Sequence, residues 1–268
     1  MQIKELIQKR KSVRTFDGQP LSDAHRQALS DYAAALTNPF GIPVEFCFLD
    51  AREHELSSAV IVGTEQYVAA KVTPAEHYEL AYGYCYESFC LYALSLGVGS
   101  VMLGGTFSRR AFEKAMRLKN AEVMPLASPL GYPAKKPSVR EKMMRKTIKA
   151  DERMPFEKLF FENSFKTALT PAQAGEYATA LEMVRLAPSA VNKQPWRAVL
   201  AGGAVHFFKK GSKMLSSDSL DLQRIDMGIA LAHFDLTLKE EGVNGRFVTK
   251  ELDFEVEKGL EYVISYER

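Results

Sequence analysis

The sequence predicts an α+β protein built from two related halves in one chain, and three observations lead to that prediction. Helical and strand-like hydrophobic patterns alternate along the 268 residues. Similar segments recur in the same order in both parts of the chain. The residues are 46% hydrophobic, which is enough for a sizeable core. Two such halves packed on each other would imitate a homodimer.

The first two matches join a helix start and the strand that follows it. Ser22 is placed to cap one helix, and Thr170 is placed to cap another with Pro171 at its first position; the offset is 148 residues. The strand-like runs "IPVEFCFL" at residues 42–49 and "QPWRAVLA" at residues 194–201 follow at an offset of 152. The second copy is therefore longer between helix and strand.

The third match is a pair of long apolar helices. "YGYCYESFCLYALSLGVGS" and "DMGIALAHFDLTLKEEGVNG" align without a gap at an offset of 145, with Gly83 on Gly228 and Gly97 on Gly242. Coincidence between short amphipathic patterns is the alternative, but agreement of the glycines as well as the apolar positions favours duplication. We expect the halves to span residues 1–150 and 151–268, joined by a charged connector at about 135–158.

The uncharged stretch at residues 88–108 has the length of a membrane span. Four glycines interrupt it, however, and Gly97 reads as the end of a helix that begins near Tyr78. We therefore expect a buried helix followed by a buried strand, with a transmembrane helix as the alternative.

Composition narrows the classes of function. The formal net charge of +2 creates no global field that would select nucleic acid or an anionic membrane. The three cysteines form no CxxC pair, and charges at the N-terminus disfavour a secretory signal, so we expect a reduced, cytoplasmic protein. P-loop, HExxH, GxSxG and clustered Cys/His patterns are absent, so we expect no metal site.

The segment "RKSVRTF" places three cations and a hydroxyl close together: Arg10, Lys11, Ser12 and Arg14. Such side chains suit a phosphate or another anionic oxygen group. A solvated basic helix end is the alternative. At an offset of 148 the second copy carries Lys158, Phe160 and Glu162 in place of Arg10, Ser12 and Arg14, so it has lost the serine and reversed a charge.

The segment "APSAVNKQPWR" at residues 187–197 contains the only tryptophan and lies between a helix and a strand. The first copy has only the shorter "TNPFG" at residues 37–41. If each ancestral site combined a basic turn from one copy with a Pro-Ser-Asn turn from the other, one complete site survives. The alternative is an ordinary capped turn with a core tryptophan.

These strings resemble motifs of the nitroreductase-like flavoproteins, in the tandem form of that fold. "RKSVRTF" looks like their R-x-S-x-R motif, "LAPSAVNKQPW" like their A-P-S-x-x-N-x-Q-P-W turn, and "GYPAKKPSVR" like their G-Y-P segment followed by basic residues. The resemblance extends over nearly the whole chain. It implies one FMN per chain, held non-covalently between the halves.

The resemblance also implies roles for individual residues. One half would contact the phosphate, ribityl chain and pyrimidine side of the flavin through Arg10, Lys11, Ser12 and Arg14, and the other half would approach through Pro188, Ser189 and Asn192. Gly104 and Gly105 would let backbone come close to the ring. Arg140 and Lys142, just past the G-Y-P segment, would bind phosphate.

The implied activity is an FMN-dependent oxidoreductase that uses NADH or NADPH to reduce nitroaromatic, quinone or similar small-molecule acceptors by ping-pong hydride transfer. The chemistry would lie on FMN, with no catalytic side chain, while Arg14 would stabilise the anionic reduced flavin. We expect a monomer, as an internal pseudo-dimer, or a weak homodimer. The alternative is a non-catalytic flavin-binding or interaction module with a degenerate form of this fold.

Overall fold

The computed structural model describes residues 2–211, 216–217 and 220–268. The α-helices are α1 (Ile3–Lys9), α2 (Asp23–Ala35), α3 (Ala51–His54), α4 (Tyr78–Ser95), α5 (Arg109–Ala115), α6 (Val139–Thr147), α7 (Ala178–Leu186) and α8 (Leu222–Glu240). The strands are β1 (Glu45–Asp50), β2 (Gln66–Lys71), β3 (Gly99–Ser100), β4 (Ala127–Gly131), β5 (Phe160–Glu162), β6 (Trp196–Ala201), β7 (Ala204–Lys210), β8 (Ser216–Ser217), β9 (Leu220–Asp221), β10 (Arg246–Val248) and β11 (Leu260–Glu267).

The two main sheets repeat one topology. The first has the order β1-β2-β4-β3, with every pair antiparallel. The second has the order β10-β11-β7-β6-β5, so from β6 outward it reads β6-β7-β11-β10, again antiparallel throughout. Strand β5 is an addition, parallel to β6 at the edge. The protein thus has a mixed helix and sheet fold with two halves of matching design.

Helices α4 and α8 cross at the centre of the molecule, and two glycines form the crossing. A Cβ built on Gly83 would lie 2.1 Å from the carbonyl oxygen of Ile225, and one built on Gly228 would lie 2.3 Å from that of Leu80. The offset of 145 residues that joins Gly83 to Gly228 also joins Leu80 to Ile225. The contact is therefore the same on both sides, as in a two-fold symmetric dimer interface.

The expectations for the helix ends are partly confirmed. Ser22 caps α2, with its Oγ accepting from the N–H of His25 at 3.2 Å. The expectation for Thr170 and Pro171 is confirmed for a single turn only: the Thr170 Oγ1 accepts from the N–H of Gln173 at 3.4 Å, but residues 171–174 form turns and α7 begins only at Ala178. The reason is Gly175, whose φ of +54° interrupts the helical path.

The uncharged stretch divides as expected. Helix α4 is buried and ends at Ser95, and Gly97 follows with a φ of +76° before the short strand β3. Among the residues described, none of the helices combines the length and apolar character needed to cross a membrane.

We expect Gly228→Ala to lower the free energy of unfolding by at least about 2 kcal/mol, because its Cβ would meet backbone that cannot move aside without separating α4 from α8. The control is Gly105→Ala, whose Cβ would meet no heavy atom within 4 Å. Urea unfolding of both variants measures the effect. Equal stabilities would show that the crossing tolerates a wider separation.

Candidate functional site

A cavity of about 200 Å³ opens between the C-terminal end of α1, the connector after α6 and the turn after α7. It brings together residues from both halves of the chain. Among the residues expected at the site, it is lined by Arg10, Lys11, Ser12, Pro188, Ser189 and Asn192. The basic turn of one half and the Pro-Ser-Asn turn of the other therefore share one cavity.

The basic turn is held in an extended path by backbone bonds. The N–H of Val13 donates to the carbonyl oxygen of Ser100 at 2.9 Å, and that of Phe16 donates to Val62 at 2.9 Å. The "GYP" segment lies against the same path, where Phe16 pairs with Pro133. The role of this segment in the structure is thus to fix the position of residues 13–16.

Helix α6 is tied to the basic turn by a buried carboxylate. Glu141 accepts from the hydroxyl of Thr15 at 2.7 Å and from the N–H of Arg14 at 3.3 Å. One helical turn later, the same face of α6 carries Arg145, which lines the cavity.

The turn after α7 adopts an unusual backbone. Helix α7 ends at Leu186, and Val191, Asn192 and Gln194 have φ values of 45°, 57° and 49°. A β-branched residue such as Val191 rarely takes this conformation, which costs about 1–3 kcal/mol. Strain of this kind occurs most often at ligand sites, where the surrounding structure enforces it.

Polar side chains of the turn enforce its shape by bonding to neighbouring backbone. The Oγ of Ser189 accepts from the N–H of Gln194 at 2.8 Å, and the Gln194 Oε1 accepts from Met154 at 2.8 Å. The Nδ2 of Asn192 donates to the carbonyl oxygen of Lys149 at 2.7 Å. The amide of Asn192 is thus used to join the turn to the connector, whereas the sequence suggested a ligand contact.

A buried carboxyl group on α8 accepts a hydrogen bond from the backbone of this turn. Both oxygens of Asp226, in the first turns of α8, lie 3.1 Å from the N–H of Ala190. Burial raises the pKa of Asp226 to about 8; the Ala190 hydrogen bond opposes the shift and Asp221 adds to it. Asp226 is therefore protonated over much of the physiological range.

The cavity wall is strongly cationic. Its lining includes Arg10, Lys11, Arg145 and Arg153 against a single carboxylate, Asp151. Arg145 is paired with Asp151. Arg153 donates to the carbonyl oxygens of Ala150 and Leu186 and to the side chain of Asn192, so it serves mainly to hold the turn.

Arg14 lies behind this wall and fits an anionic ligand. Burial lowers its pKa, Glu141 opposes the shift, and the nearby Arg145 and Arg10 add to it. Its Nε and Nη1 are buried and have no hydrogen-bond partner among the residues described. Buried donors without an acceptor are costly, and a phosphate or flavin oxygen would supply an acceptor for these two nitrogens.

The size of the cavity is below the range of about 300–1,000 Å³ that is common for ligand pockets. The side chains that bound it include the exposed Lys11 and the half-buried Arg145, which can move when a ligand enters. We conclude that the types of residue in the cavity fit FMN and that the long side chains of Lys11 and Arg145 would have to move for it to bind.

Five residues assigned by resemblance do not line the cavity, namely Arg14 and the four described next. Gly104 packs on Leu222, and its carbonyl oxygen accepts from Arg109 at 2.8 Å; Gly105 follows it in the same loop. On α6, Arg140 donates to the carbonyl oxygen of Ala59, and Lys142 is exposed. Sequence reasoning missed Arg145 and Arg153, although the four-residue spacing of Glu141 and Arg145 was a usable signal.

A second cavity of about 550 Å³ lies between the end of α2, the helices α4 and α8, and β10. It contains the turn at residues 37–39, the first-half counterpart of the Pro-Ser-Asn turn. Its cations are paired, Lys239 with Asp235 at 2.8 Å and Arg246 with Glu267 at 3.0 Å. It therefore shows none of the unpaired charge found at Arg14.

The paired sheets, the central helix crossing and the cationic cavity between the halves define a nitroreductase-fold protein. A family model described as "Putative TM nitroreductase" matches residues 2–238. The chain belongs to this family and is thereby placed among oxidoreductases of the nitroreductase type.

One solved structure has a similar fold over nearly the whole chain, and others match about half of it. A "putative nitroreductase" from Thermotoga maritima is 20% identical, with 99% of this chain and 93% of that chain covered at a TM-score of 0.64. An FMN-dependent nitroreductase from Clostridium difficile is 13% identical, with 53% and 94% covered at a TM-score of 0.42. A protein named NADH dehydrogenase/NAD(P)H nitroreductase from Parabacteroides distasonis is 22% identical, with 51% and 90% covered at 0.43. No curated protein matches the chain.

The raised pKa of Asp226 predicts how stability changes with pH. The unfolded chain releases this proton near pH 4 and the native protein near pH 8, so the free energy of unfolding should fall between these values by up to about 1.4 kcal/mol per pH unit. We expect Asp226→Asn to remove this part of the slope. Urea unfolding at pH 5 and pH 8 tests it, with the exposed Asp17→Asn as the control for charge. Parallel slopes for Asp226→Asn and the unmodified protein would contradict the assignment.

Proposed function

We propose that the protein is an FMN-dependent oxidoreductase with one flavin per chain, bound in the 200 Å³ cavity between the halves. The observation that carries the proposal is the junction of the basic turn and the Pro-Ser-Asn turn beside the unpaired, buried Arg14. Family membership supports the reaction class. The names of two structural relatives mention FMN, and the names of two others mention NAD(P)H, in agreement with the cofactor and the donor proposed.

The residues of the cavity would divide the work of binding. Lys11, Arg145 and the Ser12 hydroxyl would bind the phosphate and ribityl oxygens, since they lie on its wall. Arg14 would face the part of the ring that gains negative charge on reduction. Pro188 and Ser189, which belong to the second half, would contact the flavin from the other side of the cavity.

When bound, the flavin would accept hydride from NADH or NADPH and pass electrons to a nitroaromatic, quinone or similar acceptor. The protein then needs no acid or base of its own and supplies position, charge and exclusion of water. Both buried cysteines are unsuited to a redox role, because burial raises the pKa of Cys85 to about 11 and that of Cys90 to about 12. We propose further that the pseudo-dimer acts as a monomer in the cytoplasm, with the two halves divided near residue 150.

The first test of the proposal is the visible spectrum of the purified protein. We expect about one FMN per chain after reconstitution and bleaching by NADH or NADPH without oxygen, because the basic turn and the Pro-Ser-Asn turn meet in this cavity. A yellow protein that does not bleach would instead identify a non-catalytic flavin-binding module. A colourless protein that takes up no FMN would refute the proposal.

A second test separates the residues in the cavity from those assigned by resemblance alone. We expect Arg14→Ala and Arg145→Ala each to weaken FMN binding about tenfold or more, since a hydrogen bond to a charged group contributes about 1.5–3 kcal/mol. Arg140→Ala and Lys142→Ala are the matched controls on the same helix as Arg145 and should change the dissociation constant less than about twofold. Fluorescence titration with FMN measures all four. Larger losses in the controls would place the phosphate at the other face of α6.

A further inference from the structure

A fully buried acid and base meet at the crossing of α4 and α8. The Oε1 of Glu87, on α4, lies 2.8 Å from the Nε2 of His233, on α8, and both side chains are 0% exposed. The Nδ1 of His233 lies 2.8 Å from the carbonyl oxygen of Met183, in the last turn of α7. The same Glu87 oxygen lies 3.6 Å from the Nε of Arg10, which lines the proposed flavin cavity. Glu87 and His233 thus connect α4, α7 and α8 to Arg10 at the cavity.

The hydrogen-bond partners of Glu87 and His233 determine the net charge of this pair. A carbonyl oxygen only accepts, so the Nδ1 of His233 must carry a proton. The short contact between Nε2 and Glu87 then needs a second proton between them, whether it resides on the imidazole or on the carboxyl group. In either arrangement the pair has no net charge, so Arg10 keeps a full positive charge while its Nε is held in place.

The position related to this pair by the two-fold relation between the halves carries no such pair. At the offset of 145 residues, Glu87 corresponds to Ala232 and His233 corresponds to Ser88. Ser88 donates to the carbonyl oxygen of Tyr84 in its own helix at 2.8 Å. The buried pair therefore occurs only on the side of the crossing where Arg10 and the complete cavity lie.

We propose that Glu87 and His233 are positioning residues for Arg10. Together they hold its guanidinium at the cavity wall, oriented toward a negatively charged oxygen of the flavin nucleotide, without neutralising it. A buried ion pair is costly to keep, and the corresponding positions on the opposite side carry alanine and serine instead. This inference rests on the proposed function and names residues that do not themselves touch the flavin.

The experiment measures dissociation constants for FMN and for riboflavin, which lacks the phosphate, in the full chain. We expect Glu87→Gln to weaken FMN binding about tenfold, equivalent to about 1.4 kcal/mol. If Arg10 binds the phosphate, riboflavin affinity should not change. If Arg10 faces the ring, both affinities should fall and the midpoint potential of the bound flavin should decrease.

A double-mutant cycle shows whether Glu87 acts through Arg10. Arg10→Ala should produce a similar loss, and adding Glu87→Gln to it should produce little more. The control is Asp235→Asn. Asp235 is also a buried acid but lies on α8 beside the second cavity, where it accepts from the hydroxyl of Tyr84 at 2.6 Å. This substitution should leave FMN affinity within about twofold.

A single substitution at Glu87 or His233 leaves the other buried side chain without its hydrogen-bond partner. The double variant Glu87→Ala with His233→Ser removes both side chains and so avoids this problem. It installs the residue types of the opposite side and should fold while binding FMN about tenfold more weakly. Unchanged or tighter FMN binding in the Glu87 variants, with normal binding in the unmodified protein, would overturn the positioning role alone. Failure of the unmodified protein to bind FMN would overturn both this role and the proposed function.

Discussion

The close approach of α4 and α8 at Gly83 and Gly228 is the constraint on which the rest of the structure depends. A Cβ at either position would overlap a backbone carbonyl of the other helix, so the helices meet at backbone distance. This contact fixes where each half presents its turns to the other. Residues of both helices line the second cavity, and the cationic cavity is connected to the crossing through the contact of Arg10 with Glu87.

The difference between the two sides starts with α1. Its residues Leu6 and Ile7 pack on Leu91, Met183 and Leu94. At an offset of 145, Leu91 and Leu94 correspond to Leu236 and Lys239, and at an offset of 148, Met183 corresponds to Ala35. All three counterparts line the second cavity. The second half has no helix to place there, since Pro155 precedes a short 3₁₀ turn and residues 160–162 join the sheet as β5. The counterpart of the basic turn is thus a sheet edge, so the second half offers no cationic turn at this position.

The sequence predicted the repeat, the long helices and the pairing of the two site segments, because these depend on periodicity and on strings of unusual residues. It did not predict the late start of α7, since a proline and a capping threonine look the same whether or not Gly175 takes a left-handed conformation. It placed the phosphate ligands at Arg140 and Lys142, because neighbours in sequence cannot be separated until the buried face of α6 is known. Glu87, Asp226 and His233 could not be found from the sequence, as their roles come from partners 36 or more residues away.

The energetic balance of the cavity favours a ligand over an empty turn. The strained backbone at Val191 and Asn192, the protonated Asp226 beneath it and the unpaired guanidinium of Arg14 all lower stability in the free protein. A structural turn gains nothing from three such features in one place. A ligand that binds only the folded state restores stability in proportion to the logarithm of its concentration relative to the dissociation constant. An anionic oxygen at Arg14 would pair the buried charge, and the fixed turn would then meet the ligand without further loss of conformational freedom. The strain and the unpaired charge are therefore best understood as the preorganised half of an interaction that an anionic ligand, in our proposal the flavin nucleotide, would complete.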